Sequence, residues 1–274
     1  AASDVYKRQQ QLQAISITDH EFLSEVENTN LIEIIPGVEM SVSWYDLELE
    51  NPFAGIHLLI YFLKKDTPIY ELLSKIRIEK KNRNYEILEK LKKVGVEIER
   101  KELDDLETKV PGRPHIANLM KSKGYVSSLN EAFKEYLGNG KVGDSRIHQN
   151  PIEEVIDCAK ESKCLVFLAH PHTLMSNKDY SFSKNWYDSV FVDRLGSLKN
   201  LGIHGVETYY SSYSKTTSST LSEIVNNMNL LKSGGSDYHG DNKPDINIGF
   251  GYESNKLNIS YELLELMKEK HAEL

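Results

Sequence analysis

Short β-type runs recur along this chain of 274 residues, with helical patterns between them. The runs are Ala14–Thr18, Ile32–Ile35, Ile56–Phe62, Cys164–Ala169, Gly205–Tyr210 and Leu230–Ser233. Glu21–Asn30 reads as a helix between the first two. Strand-length runs alternating with helices predict repeated βα units, hence an α/β fold on a parallel sheet or barrel. No apolar run approaches the ~20 residues of a membrane span.

The stretch from Thr67 to Arg146 breaks this rhythm. It is highly charged and helical throughout. Tyr85–Val94 places Ile87, Leu88, Leu91 and Val94 at helical spacing, with Gly95 suited to end the helix. Ile116, Leu119 and Met120 mark a second helix, and Ala132, Phe133, Tyr136 and Leu137 a third, each stopped by a glycine. The division expected is a leader at 1–13, a first barrel segment at 14–66, a helical insertion at 67–146 and a second barrel segment at 147–274. The second barrel segment opens with Asn150 as helix N-cap, Pro151 at the first helical position and Glu153 closing a capping box. Val155, Ile156 and Ala159 then face the core.

The chemistry sits directly after the β-type runs. Thr18-Asp19-His20, Gly37-Val38-Glu39, Ala169-His170-Pro171 and Ser236-Asp237-Tyr238-His239 each put metal-ligand types at such a position, and His57 lies inside a run. Active sites of barrels and open α/β sheets gather at the C-terminal ends of strands. Imidazole and carboxylate together suit Zn²⁺, Mn²⁺ or Fe²⁺. Each residue alone has a blander reading: Asp19 as a helix cap, His57 as a core histidine, His170 as a turn residue. The joint pattern is what carries specificity.

These residues resemble the PHP family, named for its polymerase and histidinol-phosphatase members. The motifs are Ile17-Thr18-Asp19-His20, Pro36-Gly37-Val38-Glu39, Ile56-His57-Leu58-Leu59, Leu168-Ala169-His170-Pro171 and Gly235-Ser236-Asp237-Tyr238-His239-Gly240, spread from Ala14 to about Leu266. The resemblance implies a distorted (β/α)7 barrel holding up to three metal ions. It makes His20, Glu39, His57, His170, Asp237 and His239 the metal ligands, with Glu39 bridging two ions. Asp19 and Glu207 become residues that orient those ligands. The family opens with a His-x-His strand and a Ser-Asp-Gly turn, whereas residues 1–13 hold no histidine. The first strand and three ligands are therefore expected to be missing, the leader to be non-native or disordered, and this chain to bind metal weakly and turn over little.

Within the family the chain is most similar to the TrpH-like or YciV-like group, through Pro111-Gly112-Arg113-Pro114-His115-Ile116-Ala117, Tyr136-Leu137-Gly138, Gly205-Val206-Glu207-Thr208-Tyr209-Tyr210 and Gly249. That resemblance implies hydrolysis of nucleoside 3′,5′-bisphosphates and of the 5′ ends of short oligonucleotides by a metal-bound hydroxide. Mn²⁺ is the implied cofactor, with Zn²⁺, Fe²⁺ or Mg²⁺ as alternatives. Arg113 and His115 become catalytic-site residues that reach over the barrel mouth and bind phosphate. His148, His172, His204 and His271 match no ligand position and are expected to face solvent; Tyr209, Tyr210 and Tyr213 read as core. Two alternatives stay open: a histidinol-phosphate-type phosphatase, and an inactive barrel acting as a binding module.

Composition narrows the partners. The net charge is −8 with a pI near 5.7, unlike a general nucleic-acid coat. A small phosphorylated nucleotide or short oligonucleotide is the expected partner, with neither a membrane nor a stable protein partner. The two cysteines, Cys158 and Cys164, form no CxxC pair, which suits a reducing cytoplasm.

Overall fold

The computed structural model describes residues 12–26, 32–44, 56–106, 108, 110–145, 150–175, 186–240, 245–251 and 256–274. Most of the expected leader and His148 lie outside them. The chain forms two compact units, one of Ala1–Tyr70 with Gln149–Leu274, the other of Glu71–His148.

The first unit is built on a six-stranded sheet. Its strands are β3 (Gly37–Ser43), β4 (Ile56–Tyr61), β5 (Asn150–Pro151), β6 (Leu165–Leu168), β7 (Gly205–Tyr210) and β8 (Leu231–Gly235), in the spatial order β5-β3-β4-β6-β7-β8. β1 (Ala14–Ile15) and β2 (Glu33–Ile34) form a separate parallel pair. The expectation of a parallel sheet needs correcting at β4, which runs antiparallel to both β3 and β6.

Period two sorts the strand residues onto two faces. Val38, Met40 and Val42 of β3 stand opposite Ile60, Leu58 and Ile56 of β4, and all six are nearly inaccessible. The other face alternates with them. It carries Glu39, His57, Leu59 and Tyr61, and continues into Phe167 opposite Leu59. Its apolar part packs with Ile35, Leu165, Ala169 and Met267 into one cluster. Phe167 meets Tyr61 edge-to-face at 5.3 Å. A Cβ on Gly205 would collide with the Phe167 ring, so glycine lets β7 close over that aromatic. β3 accordingly alternates, with Val38, Met40 and Val42 on one face and Glu39, Ser41 and Ser43 on the other.

Several boundaries differ from the sequence reading. Glu39 lies within strand β3, not in a turn after a strand. Pro36 does not break the structure there, because its carbonyl accepts the Phe62 amide at 2.8 Å. Residues 21–26 are not helical. Glu21 instead has φ 49° and is 1% exposed, and its amide donates to the Glu39 carbonyl at 2.9 Å. Tertiary pairing overrode a helical local pattern. The helix expected from Asn150 is α5 (Ile152–Glu161), with Pro151 as N-cap and no side-chain cap, since Asn150 pairs with Val42 in the sheet. Its buried residues are Ile152, Val155, Ile156 and Ala159, the i, i+3, i+4, i+7 stripe of an amphipathic helix. α6 (Ser189–Leu201), α7 (Lys215–Asn227) and α8 (Glu262–Ala272) complete the unit.

The second unit is helical. It contains most of α1 (Pro68–Lys92), then α2 (Arg100–Asp104), α3 (Arg113–Ser122) and α4 (Leu129–Ala132), which runs into a π-turn over Phe133–Leu137. Ile87, Leu91, Leu103, Ile116, Met120 and Leu137 centre its core. α1 ends as the sequence suggests: Gly95 has φ +84° and the Val96 amide reaches back to the Leu91 carbonyl at 3.1 Å. Val94 is past the helix end and 51% exposed, so it is not part of the apolar stripe.

His204 and His271 are not solvent residues. His271 stacks on Phe62 at 4.3 Å. His204 Nδ1 accepts the Val166 amide at 3.1 Å, and burial together with Lys270 holds the imidazole below its ordinary 6.5. The unfolded chain therefore takes up this proton first as pH falls below about 6.5, and the stability contributed by neutral His204 is lost in that window. The unfolding midpoint is expected to drop between pH 7.5 and 5, and His204→Asn, which keeps an acceptor, to flatten that part of the drop. A variant with the full parental pH dependence would show that His204 is not responsible.

Candidate metal centre

Three candidate ligand atoms from three strands or strand ends meet on the inner face of the sheet. His57 Nδ1 lies 2.6 Å from Glu39 Oε1 and 3.0 Å from His170 Nε2; His170 Nε2 lies 3.1 Å from the same Glu39 oxygen. His20 joins them: a ligand atom from each of His20, Glu39 and His57 fits within 4.8 Å. Its ring stands 5.2 Å from that of His57 and 6.1 Å from that of His239.

Local folding accounts for each placement. Glu39 and His57 project from neighbouring antiparallel strands on one face. His20 is drawn alongside Glu39 by a backbone bridge, in which the Glu39 amide donates to the Asp19 carbonyl at 3.2 Å and the Glu21 amide to the Glu39 carbonyl. His170 follows β6 with φ +28° and Asp237 follows β8 with φ +52°. Such left-handed backbone costs on the order of 1 kcal/mol or more per non-glycine residue and persists where the surroundings impose it. At His170 the imposing contact is Glu207, whose Oε2 accepts the His170 amide at 2.8 Å. At Asp237, buried Tyr210 donates its hydroxyl to Oδ2 at 2.9 Å, while His239 Nδ1 stands 3.3 Å from Oδ1. Asp19 is exposed and accepts from Ser24.

Electrostatics favours a cation here. Burial alone would raise the Glu39 carboxyl, but hydrogen bonds from His170 and His57 and the field of His57 and His20 hold it well below the usual carboxylate range. It is ionised at neutral pH while 7% exposed. The spacing fits a divalent ion: ligands roughly 2.0–2.2 Å from a metal stand on the order of 3 Å apart. Three lone pairs directed at one cation satisfy the contacts, whereas two N–H groups pointing into the same gap would meet each other. Burial and the negative charge of Asp237 push the Tyr210 phenol far above its ordinary value, so it stays a donor.

A cavity of about 720 Å³ opens on this cluster and is lined by His20, Glu39, His170, Glu207, Asp237 and His239 together with apolar residues of the sheet. Its size is that of small-molecule sites. The structure thus brings together His20, Glu39, His57, His170, Asp237 and His239, with Glu207 and Asp19 beside them. Arg113 and His115 belong to the helical unit. There Arg113 Nη1 donates to the Leu137 carbonyl at 3.4 Å, and His115 Nδ1 accepts the Gly112 amide at 3.1 Å. Burial lowers the His115 pKa, so the ring is neutral at pH 7 and offers Nε2–H as a donor.

Two roles escaped the sequence reading. Tyr210 anchors Asp237, a contact across 27 positions that no local pattern encodes. His172, expected in solvent, packs with Tyr213 and Trp186, and its Nδ1 lies 2.7 Å from the Tyr213 hydroxyl. Burial first, then His170, pushes it down to about 4.

Gly235 exposes the dependence of His170 on Glu207. A Cβ at this position would stand 2.8 Å from Glu207 Oε1. Gly235→Ala is expected to displace that carboxylate and weaken Mn²⁺ binding by about tenfold, the scale of losing an orienting partner. Titration calorimetry checks this; Glu207→Gln, which keeps an acceptor, should lose less. Equal affinity in parent and Gly235→Ala would remove Glu207 from the account.

The fold first defines the class. The structure superposes on a Bifidobacterium adolescentis protein assigned as a candidate metal-dependent phosphoesterase, with a TM-score of 0.69 and 19% identity over 97% of this chain and 88% of that one. No protein-family model matches the chain. Among curated proteins it is similar to a 5′-3′ exoribonuclease of Haemophilus influenzae, 26% identical over 237 residues, covering 84% of this chain and 80% of the relative. It is also similar to a phosphoribosyl 1,2-cyclic phosphate 1,2-diphosphodiesterase of Eggerthella lenta, 22% identical over 223 residues, covering 80% of this chain and 78% of the relative. These likenesses are to an exoribonuclease and a phosphodiesterase in sequence and to a candidate metal-dependent phosphoesterase in fold. No helix among the described residues is long and apolar enough to cross a membrane.

Proposed function

We propose that this chain is a metal-dependent phosphoesterase that hydrolyses phosphate esters of nucleotides, taking nucleoside 3′,5′-bisphosphates and the 5′ ends of short oligonucleotides, as the TrpH-like or YciV-like group does. The observation that supports this most is the meeting of Glu39, His57 and His170 within 3.1 Å of one another on the inner face of the sheet. The similarity to an exoribonuclease and a phosphodiesterase supports the substrate class. Mn²⁺ in a reducing cytoplasm is the setting proposed.

His20, Glu39, His57, His170, Asp237 and His239 would hold the ions. Bound divalent ions supply positive charge to the phosphoryl group and acidify the attacking water. The chain's own role is positioning. Glu39 presents a charged oxygen to two imidazoles at once. Glu207 fixes the His170 backbone and Tyr210 fixes one oxygen of Asp237, leaving the other toward His239. Arg113 and His115 are proposed to bind a further phosphate of the substrate, Arg113 through its forked donors and His115 through Nε2–H. No serine or cysteine nucleophile is required.

The test is hydrolysis by the Mn²⁺-loaded chain of adenosine 3′,5′-bisphosphate, a short 5′-phosphorylated oligoribonucleotide and histidinol phosphate side by side. Turnover of the first two in preference to the third is expected. Preference for histidinol phosphate would move the chain to the other branch of the fold, and no turnover of any would contradict the enzyme reading in favour of the inactive binding module.

A further inference from the structure

Charge is unevenly divided along the chain. Glu71–His148 carries 17 Lys and Arg against 13 Asp and Glu, a net of +4, while the remaining residues carry 16 against 28, a net of −12. A metal centre neutralises the phosphate being hydrolysed, but the other phosphates of an oligonucleotide meet a strongly negative surround unless the helical unit attracts them.

Within that unit, α1 has an interrupted apolar stripe. Leu72, Leu73 and Ile76 are buried, and burial resumes at Ile87, Leu88 and Leu91. Between them the same side of the helix presents Arg77, Lys80, Arg83 and Asn84, at i, i+3, i+6 and i+7. The three cations are half-buried and Asn84 is 1% exposed. Arg77 Nη2 donates to the Ser74 hydroxyl at 3.0 Å, and all three cations keep part of their surface exposed. Asn84 is clamped: its Nδ2 donates to the Pro111 carbonyl at 2.7 Å, and Arg83 Nη2 donates to its Oδ1 at 3.2 Å. This ties Arg83 and Asn84 of α1 to the segment leading into α3, where Arg113 stands at the first position.

We propose that Arg77, Lys80 and Arg83 of α1, with Arg113 of α3, form a track for the phosphate backbone of a single-stranded oligonucleotide. The substrate class rests on the phosphoesterase reading; the track itself rests on the interrupted stripe and the charge division. Backbone binding of this kind is independent of base identity and depends steeply on salt.

The test is binding of a fluorescein-labelled oligoadenylate of about eight nucleotides, followed by anisotropy in EDTA across a NaCl series. Four phosphate contacts on a single strand predict a log–log slope of about −2.8. The triple variant Arg77→Gln/Lys80→Gln/Arg83→Gln is expected to lose at least about tenfold in affinity at low salt and to flatten the slope toward about −0.7. Lys121→Gln/Lys134→Gln, exposed cations elsewhere in the unit, should keep the parental slope. A triple variant with the parental slope, or a control pair that flattens equally, overturns the track. Should the triple variant fail to fold, the parent decides: a slope shallower than about −1 overturns it. Hydrolysis of adenosine 3′,5′-bisphosphate with Mn²⁺ separates the two ideas. Turnover without steep salt dependence of oligonucleotide binding defeats the track alone; steep binding without turnover defeats the phosphoesterase reading alone.

Discussion

Replacing Glu39 by Gln is expected to lower Mn²⁺ affinity by at least about a hundredfold and phosphoesterase kcat/KM by about a thousandfold, the latter equivalent to roughly 4 kcal/mol of transition-state stabilisation. The reason is geometric and electrostatic together. One Glu39 oxygen is within 3.1 Å of both His57 and His170, and it is the buried negative charge beside both imidazoles. Gln keeps the size but removes the charge and turns half of the group into a donor facing two imidazoles. The circular dichroism spectrum should be unchanged, because β3 is held by its ladder with β4 and by Val38, Met40 and Val42 on the opposite face. Calorimetric Mn²⁺ titration and steady-state kinetics measure the two effects. Parental affinity in Glu39→Gln would show that the site does not bind metal through this residue.

Phe167→Ala is expected to destabilise the first unit by about 3–5 kcal/mol, the range for emptying a fully buried aromatic. Phe167 is inaccessible, meets Tyr61 edge-to-face, and lies under Gly205. Little nearby can move into the space, since Leu59, Leu165 and Ala169 are already packed in place. Urea unfolding of the two proteins measures the difference. A loss below about 1 kcal/mol would mean that the cluster beneath the site is looser than its burial indicates.

How far the sequence could be read depended on what held each element. Gly205–Tyr210 has the bounds read from the sequence, since its apolar and β-favouring residues coincide with a doubly buried strand. The end of α1 at Gly95 was legible for a local reason, the left-handed turn that glycine accepts. Residues 21–26 misled because the outcome was not local: the Glu21 amide found the Glu39 carbonyl, a partner that helical periodicity cannot reveal. Glu39 reads as following the run Ile32–Ile35, yet the Pro36 carbonyl is used by Phe62 and a new strand starts at Gly37 and contains Glu39. The antiparallel direction of β4 was likewise hidden, because a run of apolar residues does not encode strand polarity.

The site divides in the same way. Ligand types after β-type runs could be recognised one by one, and the structure collects His20, Glu39, His57, His170, Asp237 and His239 around one cavity or its floor. Of the supports, Glu207 came with the family resemblance and Tyr210 did not. Tyr210 reaches Asp237 and Glu207 reaches the His170 amide only after β6, β7 and β8 are laid side by side. Arg113 and His115 remain proposals, placed in the helical unit with their own local contacts.

The central claim is that Glu39, His57 and His170 are ligands of one divalent ion, and crystals grown with Mn²⁺ test it most directly. Anomalous scattering at the manganese edge should place a peak roughly 2.0–2.4 Å from Glu39 Oε1, His57 Nδ1 and His170 Nε2. A map with no peak among these three atoms at saturating Mn²⁺, or with manganese bound only elsewhere, would contradict it.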